Sequence, residues 1–262
     1  MILRRIQAPE LEDQPWFPAE LRRYITDILH VAHLAFGVYR RWTPRIAALL
    51  AACNERRIVD LCSGGGGPAL AIARGLRERH GLDVTLTLTD LYPNRDAAER
   101  VNRGAAWARY RTAPLDASAV PGELGGLRTL FSGFHHMPPD VARGILADAF
   151  AHRRPICVFE LTNNSIDALL SYALGMPPLV WALTPFVRPL SLRRLLLTYA
   201  LPLVPLMVTW DGMASHLRTY SVRELRELCA DLESPDYGWE VGYLRHPLVP
   251  YRFPYLVGSP SG

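Results

Sequence analysis

The 262-residue chain contains no lysine, so all 29 of its Lys and Arg residues are arginines. This absence excludes two large enzyme classes, because a phosphate-loop NTPase requires a lysine in its Walker motif and a pyridoxal-phosphate enzyme forms a Schiff base with one. The arginines are scattered, partly in pairs such as Arg22-Arg23 and Arg153-Arg154, and the net charge is +4. Since there is no basic stripe interleaved with aromatic residues, we do not expect a nucleic-acid partner.

Cysteine is also scarce, and Cys53, Cys62, Cys157 and Cys229 lie far apart in the sequence. They form neither a metal-type pair nor an evident disulfide framework, so we expect a reducing environment and no metal site. The amino terminus lacks the uninterrupted apolar core of a secretory signal, because proline and acidic residues break it from Pro9 onward. These observations predict a cytoplasmic protein.

Apolar residues recur at helical spacing in two stretches near the amino terminus, from Glu20 to Phe36 and from Pro44 to Ala52. We interpret residues 1–55 as lid helices. Residues 56–262 form the predicted main domain, which contains an insertion of different composition at residues 163–220.

Short apolar strands alternate with helical segments through the main domain, a pattern typical of a largely parallel sheet. A capping box, Ser221-Val222-Arg223-Glu224, begins the last helix, and the two strands after it are too close together for a parallel crossover. We therefore predict an α/β fold with a Rossmann-like, seven-stranded, mostly parallel sheet and helices on both faces. The seven strands are predicted at residues 58–62, 84–89, 110–113, 127–132, 156–160, 239–244 and 252–257.

A glycine-rich turn, Asp60-Leu61-Cys62-Ser63-Gly64-Gly65-Gly66-Gly67, follows the first strand. Such a turn lets the backbone approach a ligand closely. The spacing Gly64-x-Gly66-x-x-Ala69, with Asp90 further on, also satisfies the dinucleotide fingerprint, so an NAD(P)-dependent oxidoreductase stays an alternative. Two acids favour a different cofactor: Asp60 at the strand end, where a dinucleotide fold usually has an apolar residue, and Asp116 after the third strand.

With these acids, residues 56–161 resemble the class I S-adenosylmethionine-dependent methyltransferases. The resemblance implies that the turn from Asp60 to Gly66 holds the aminocarboxypropyl group of the cofactor and that Asp90 binds the ribose hydroxyls. It further implies that Leu91 packs on adenine and that Asp116 with Ala117 binds the adenine amino group. The first glycine of the family motif is replaced by Cys62. The predicted cofactor-binding residues are Asp60, Cys62, Ser63, Gly64, Gly66, Asp90, Leu91, Asp116, Ala117 and Ser132.

The segment Ser132-Gly133-Phe134-His135-His136 resembles the place where methyl donor and acceptor meet in that family. We predict His135 or His136 as the catalytic base, because histidine accepts a proton near neutral pH; the alternative is a structural histidine at a helix start.

Three further residues are candidates for the acceptor pocket: Glu160 at the end of strand five, and Trp210 and Asp211 in the later part of the insertion. The alternative for Glu160 is a buried acid paired with an arginine. For Trp210-Asp211-Gly212 we favour a turn.

Within the insertion, residues 168–187 and 195–210 carry no charge. We favour a soluble apolar cap over the active site, with surface contact to a membrane through residues 168–210 and true spanning helices as alternatives. The predicted reaction is methyl transfer to a small or medium-sized, substantially apolar acceptor; the alternatives are the oxidoreductase and a membrane-associated binding protein that retains the fold.

Overall fold

A seven-stranded sheet forms the centre of the computed structural model, which describes residues 1–261. The strand order is β3-β2-β1-β4-β5-β7-β6. Strands β1 to β5 pair in parallel and β7 runs antiparallel to β5, which confirms the predicted fold class. The strands are β1 (Arg57–Asp60), β2 (Thr85–Leu88), β3 (Ala108–Tyr110), β4 (Leu127–Phe131), β5 (Ile156–Phe159), β6 (Tyr237–Arg245) and β7 (Arg252–Pro260).

The position of β7 separates this sheet from the dinucleotide-binding order. The classic dinucleotide fold has the order 3-2-1-4-5-6, whereas here β7 lies between β5 and β6. The chain direction also reverses at this point, since β7 pairs with β5 in the antiparallel sense.

Nine α-helices accompany the sheet in the described part of the chain. They are α1 (Ala19–Phe36), α2 (Thr43–Ala52), α3 (Gly67–His80), α4 (Arg95–Asn102), α5 (Pro139–Ala151), α6 (Ile166–Leu183), α7 (Leu192–Leu195), α8 (Leu203–Arg218) and α9 (Val222–Cys229). A π-helical segment, Leu196–Ala200, continues α7.

Most predicted elements lie within a few residues of their observed positions, and the differences have local causes. Helix α4 begins at Arg95, because the Asn94 side chain accepts a hydrogen bond from the Ala97 amide and caps the helix. Strand β3 was predicted at 110–113 but lies earlier, where Asn102 bonds both backbone groups of Tyr110.

The chain divides into two compact units. A helical unit comprises Met1–Val38, Thr162–Ser221 and Arg245–Arg252, and a sheet unit comprises Tyr39–Leu161, Val222–Leu244 and the chain from Phe253 onward. This division differs from the predicted segments, because the first 55 residues are shared between the units. Helix α2 belongs to the sheet unit, and α1 belongs with the insertion.

An aromatic stack explains why α2 belongs to the sheet unit. Trp42, directly before α2, stacks on Phe131 of β4 and Phe159 of β5 with ring centroids 5.4 and 5.3 Å apart. Its side chain is almost fully buried. Stacked aromatic side chains contribute strongly to the stability of a hydrophobic core, because each buries a large apolar area.

In the helical unit, α1, α6 and α8 share one apolar core. Its buried members include Ile25 and Ile28 from α1, Val180 from α6, and Val204 and Val208 from α8. Each helix therefore uses one face to stabilise this unit.

The prediction of a turn at Trp210-Asp211-Gly212 is wrong, because these residues lie inside α8. A Cβ atom on Gly212 would lie 2.0 Å from the Tyr172 hydroxyl oxygen. The glycine is thus explained by the close packing of Tyr172 against the helix rather than by a turn.

Candidate active site

The chemically important residues of the sheet unit follow the carboxyl ends of adjacent parallel strands. Asp60 ends β1, Asp90 follows β2, Ser132 follows β4 and Glu160 follows β5. Because β2, β1, β4 and β5 are neighbours in this order, their carboxyl ends meet at one edge of the sheet. Open α/β sheets bind their ligands at this edge.

The Asp60 side chain is buried and fastens the glycine-rich turn to the sheet. Its carboxylate accepts hydrogen bonds from Ser63 Oγ and Thr129 Oγ1, both at 2.7 Å. Its backbone oxygen accepts the Thr89 amide at 2.9 Å. Burial raises the pKa of Asp60 to about 7, although the two hydroxyl donors act in the opposite direction. Asp60 therefore joins β1, the turn, β4 and the end of β2.

Three residues of the turn have left-handed backbone conformations. The φ angles are 56° at Cys62, 50° at Gly64 and 75° at Gly66. Cys62 thus adopts a backbone conformation that normally favours glycine. Glycine is the residue at this position in the family that the sequence resembles. At Gly66 a Cβ atom would lie 3.2 Å from Leu88 Cδ1, so this glycine also allows close packing.

Asp90 bonds to the same turn. Its carboxylate accepts the Gly64 amide and the Tyr92 amide, both at 2.8 Å. The Gly64 amide is therefore directed at Asp90 and not outward. Each carboxylate oxygen accepts more than one hydrogen bond, so Asp90 keeps capacity for hydroxyl donors.

Leu91, the predicted adenine contact, is 45% exposed. It lines a groove of about 850 Å³ together with Tyr92, Pro93, Pro114 and residues of α4. A flat apolar ligand group is suited to such a surface.

Asp116 lies in a local turn. Its carboxylate accepts the Ser118 hydroxyl at 2.7 Å and the Ser118 amide at 2.8 Å, and these hydrogen bonds lower its pKa. The Leu115 amide donates to the Asp90 backbone oxygen, which brings this loop to the end of β2. Ala117 is buried beside it.

Ser132 is the second non-glycine residue of the site with a left-handed conformation, at φ 53°. Its buried Oγ has no hydrogen-bond partner among residues 1–261. Gly133 packs near the turn, since a Cβ atom added there would lie 3.9 Å from Cys62 Cβ. A buried hydroxyl without a partner costs free energy unless a ligand or water satisfies it, so this hydroxyl suits a bound ligand.

His135 and Glu160 form a buried pair. Glu160 accepts the His135 backbone amide at 2.9 Å through Oε1, and its Oε2 lies 2.8 Å from His135 Nδ1. Both side chains are 5% exposed. The alternative for Glu160 correctly predicted a buried acid, but its partner here is a histidine rather than an arginine.

The pair fixes the chemistry of the imidazole ring. When Nδ1 of His135 donates to the Glu160 carboxylate, Nε2 is the ring nitrogen that can accept a proton. His136 is half-buried, and its ring centroid lies 4.3 Å from that of His135.

Trp210 and Asp211 are placed in the helical unit. Asp211 is buried and accepts the amides of Leu11 and Glu12 at 2.7 and 3.0 Å. The indole of Trp210 donates to the Pro9 carbonyl at 3.1 Å and is half exposed. Both residues hold the amino-terminal segment, a role that the sequence prediction missed.

The sequence prediction also missed three hydroxyl residues around the turn. Thr129 and Thr89 bond to Asp60, and the Tyr110 hydroxyl donates to the Gly64 carbonyl at 2.9 Å. They come from strands or strand ends distant in sequence, and no local motif marks them.

No protein-family model matches this sequence, and no curated protein does. Solved structures do match. The plantazolicin methyltransferase BpumL in complex with SAH aligns with a TM-score of 0.60 and 12% identity, covering 96% of this chain and 94% of that one.

Two further structures align with a TM-score of 0.50. One is an O-methyltransferase family protein from Burkholderia thailandensis, with 18% identity over 87% of this chain and 57% of that one. The other is human N-acetylserotonin methyltransferase in complex with SAM, with 12% identity over 99% of this chain and 63% of that one. This chain therefore spans less than two thirds of either protein. At these identities the likeness establishes the fold alone, which is the fold that these three methyltransferase structures share.

Proposed function

We propose that this chain transfers a methyl group from S-adenosylmethionine to a small or medium-sized, substantially apolar acceptor. The observation that carries the proposal is the carboxyl edge of the sheet. There the turn held by Asp60, the Asp90 carboxylate and the unpartnered Ser132 hydroxyl adjoin the buried His135–Glu160 pair.

The residues at this edge fit the cofactor. The turn from Asp60 to Gly66 would hold the aminocarboxypropyl group, and Asp90 would accept the ribose hydroxyls. Leu91 is exposed for contact with adenine, and the loop of Asp116 is bonded next to Asp90. When bound, S-adenosylmethionine supplies an electrophilic methyl group on a sulfonium. Solved relatives of this fold with SAH or SAM bound support this choice of cofactor.

His135 is the proposed general base. Its Nε2 would accept the proton of an acceptor hydroxyl or amine, while Glu160 keeps the ring oriented and stabilises the imidazolium that forms. General-base catalysis of this kind contributes roughly 10²- to 10⁴-fold, and alignment of the reactants contributes as well.

Isothermal calorimetry on the full chain tests the cofactor. We expect binding of S-adenosylmethionine and of its demethylated product, with NADH and NADPH giving no heat. Binding of a nicotinamide cofactor in their place would contradict the proposal and support the oxidoreductase. Binding without methyl transfer to any acceptor would instead support a binding protein that retains the fold.

The acceptor class needs its own experiment. The expectation of an apolar acceptor comes from the sequence alone, in which residues 168–187 and 195–210 carry no charge. We expect transfer of the radiolabelled methyl group to aromatic acids or lipids rather than to polar amines. Efficient turnover of highly polar acceptors alone would contradict this part of the proposal.

A further inference from the structure

Helix α6 exposes an apolar side within the helical unit. Leu170, Leu174 and Trp181 are 57%, 77% and 42% exposed. They are spaced by four and seven residues, so their side chains lie along one side of the helix. The segment Ile166–Phe186 is long and apolar enough to span a membrane, and only 17% of its most apolar window is buried.

The chain from α7 to α8 extends this exposed surface. Segment Leu192–Ala200 meets α8 at a bend of 75°, and Leu201 at the bend is 63% exposed. Leu206 and Trp210 are exposed on α8 at 61% and 52%. Exposed apolar residues therefore continue along the chain through the bend and into α8.

Hydrogen bonds join the two parts. Trp181 Nε1 donates to the Thr198 carbonyl at 3.0 Å, and the exposed Tyr199 hydroxyl donates to the Trp181 carbonyl at 2.7 Å. Helix α6 also packs directly against α8. We call this surface the apolar face and define it by Leu174, Trp181, Tyr199, Leu201, Leu206 and Trp210.

The opposite side of α6 argues against a bilayer crossing by this helix. Met176 and Val180 pack in the core that α6 shares with α1. Helix α1 exposes Arg23 and His30, which are costly in hydrocarbon. A helix bound to such a neighbour is suited to lying along a membrane surface, with its apolar side buried to the headgroup boundary.

The charged residues near the apolar face are suited to contact with an anionic membrane surface. Between Asp167 and Asp211 the sequence contains three charged residues, and all are arginines. Arg194 is paired with Asp27 and Arg193 with Glu20. The third, Arg188, is exposed and follows Phe186, whose ring is also exposed. The exposed Trp and Tyr residues are of the type enriched at membrane interfaces.

We propose that the apolar face docks on the surface of a bilayer that contains anionic lipid. The leucine and aromatic side chains insert to the boundary between headgroups and acyl chains, and Arg188 lies at the level of the lipid phosphates. A second copy of the chain is a poorer fit, because residues 168–210 contain no acidic side chain to pair with the arginines of a partner face.

Vesicle flotation of the full chain tests the proposal without S-adenosylmethionine, so its result is independent of methyl transfer. We expect the protein to float with phosphatidylcholine vesicles that contain phosphatidylglycerol, more weakly with phosphatidylcholine alone, and less at high salt. Equal binding to both compositions at all salt concentrations would overturn the role of charge.

A triple variant, Leu174→Ser with Leu201→Ser and Leu206→Ser, should lower the bound fraction about tenfold. The matched control is Ile6→Ser with Val141→Ser and Leu248→Ser, which replaces exposed apolar side chains outside the apolar face and should bind as the wild type does. Equal binding by the first triple variant would overturn the proposal. Arg188→Gln provides a second test without loss of apolar surface and should weaken binding to the anionic vesicles alone.

Two measurements distinguish the other occupants of the face. Quenching of tryptophan fluorescence by brominated lipids should be strongest when the bromine atoms lie near the headgroup. If quenching is strongest with bromine at mid-chain and the protein resists carbonate extraction, α6 spans the membrane and the proposal is overturned. The proposal would also be overturned if the wild type sediments as a dimer, the first triple variant sediments as a monomer, and the wild type does not bind vesicles. That result would assign the apolar face to contact with a second copy of the chain.

Discussion

The stability of the fold around the glycine-rich turn depends on pH through the buried carboxyl group of Asp60. Desolvation raises its pKa from 3.8 to about 7, so between these values the folded chain holds a proton that the unfolded chain has released. The folded state then loses stability as pH rises from about 4 to 7, by roughly 1.4 kcal/mol per pH unit at most for this one group.

Replacing Asp60 with asparagine removes this titration. Relative to the wild type, the free energy of unfolding of Asp60→Asn should rise by roughly 2–4 kcal/mol between pH 4.5 and pH 8. Urea denaturation at several pH values measures the difference. Parallel pH profiles for the two proteins would contradict the assignment of a buried, protonated carboxyl group.

Cys62 provides a test of the turn itself. Its left-handed backbone is strained for a residue with a side chain, so Cys62→Gly should fold at least as stably and bind the demethylated cofactor. The β-branched Cys62→Val should lose about 1–3 kcal/mol of stability and bind it less tightly. Calorimetry measures cofactor affinity and denaturation measures stability for both variants. Equal affinity and equal stability in the two variants would show that the left-handed conformation is not required.

The His135–Glu160 pair predicts a clear order of kinetic effects. His135→Asn should lower kcat about 10²- to 10³-fold, and Glu160→Gln should lower it less, while affinity for the demethylated cofactor changes little. His136→Asn is the control in the adjacent position. A larger loss of kcat in His136→Asn than in His135→Asn would transfer the role of base to His136.

At the scale of elements, α8 anchors the amino-terminal segment through Asp211. Asp211→Ala leaves the amides of Leu11 and Glu12 without their acceptor and should cost about 1–3 kcal/mol of stability. Asp167→Ala is the matched control, because that carboxylate is 65% exposed and lies 3.9 Å from the terminal amine; its cost should be under about 0.5 kcal/mol. Thermal denaturation compares them, and equal losses would contradict the anchoring role.

The elements that the sequence predicted well are those with a strong local pattern. Strand β5 is an uninterrupted apolar run, β1 and β4 each contain two adjacent apolar residues, and helix α9 begins within a capping box. The region of Trp210-Asp211-Gly212 was mispredicted because glycine after aspartate is a turn signal, whereas here the close approach of Tyr172 accounts for the glycine. A packing partner 40 positions away leaves no local sequence pattern.

At the scale of the whole molecule, bound cofactor should stabilise the fold by mass action. At a concentration about 100 times its Kd, the demethylated cofactor adds about 2.7 kcal/mol, which raises Tm by roughly 5–10 °C for a chain of this size. NADH at the same concentration is the control and should leave Tm unchanged. A shift with NADH and none with the demethylated cofactor would contradict the proposed function.

The sequence by itself determined the order of strands and helices, the turn after β1 and the acids that follow the strands, because these depend on local periodicity, glycine content and spacing. It left open which histidine is oriented by an acid and what Glu160, Trp210 and Asp211 contact. Those were decided only by tertiary structure, since the His135–Glu160 and Asp211–Leu11 bonds join residues 25 and 200 positions apart. Contacts at such separations depend on how the elements pack, and packing is a property of the folded chain.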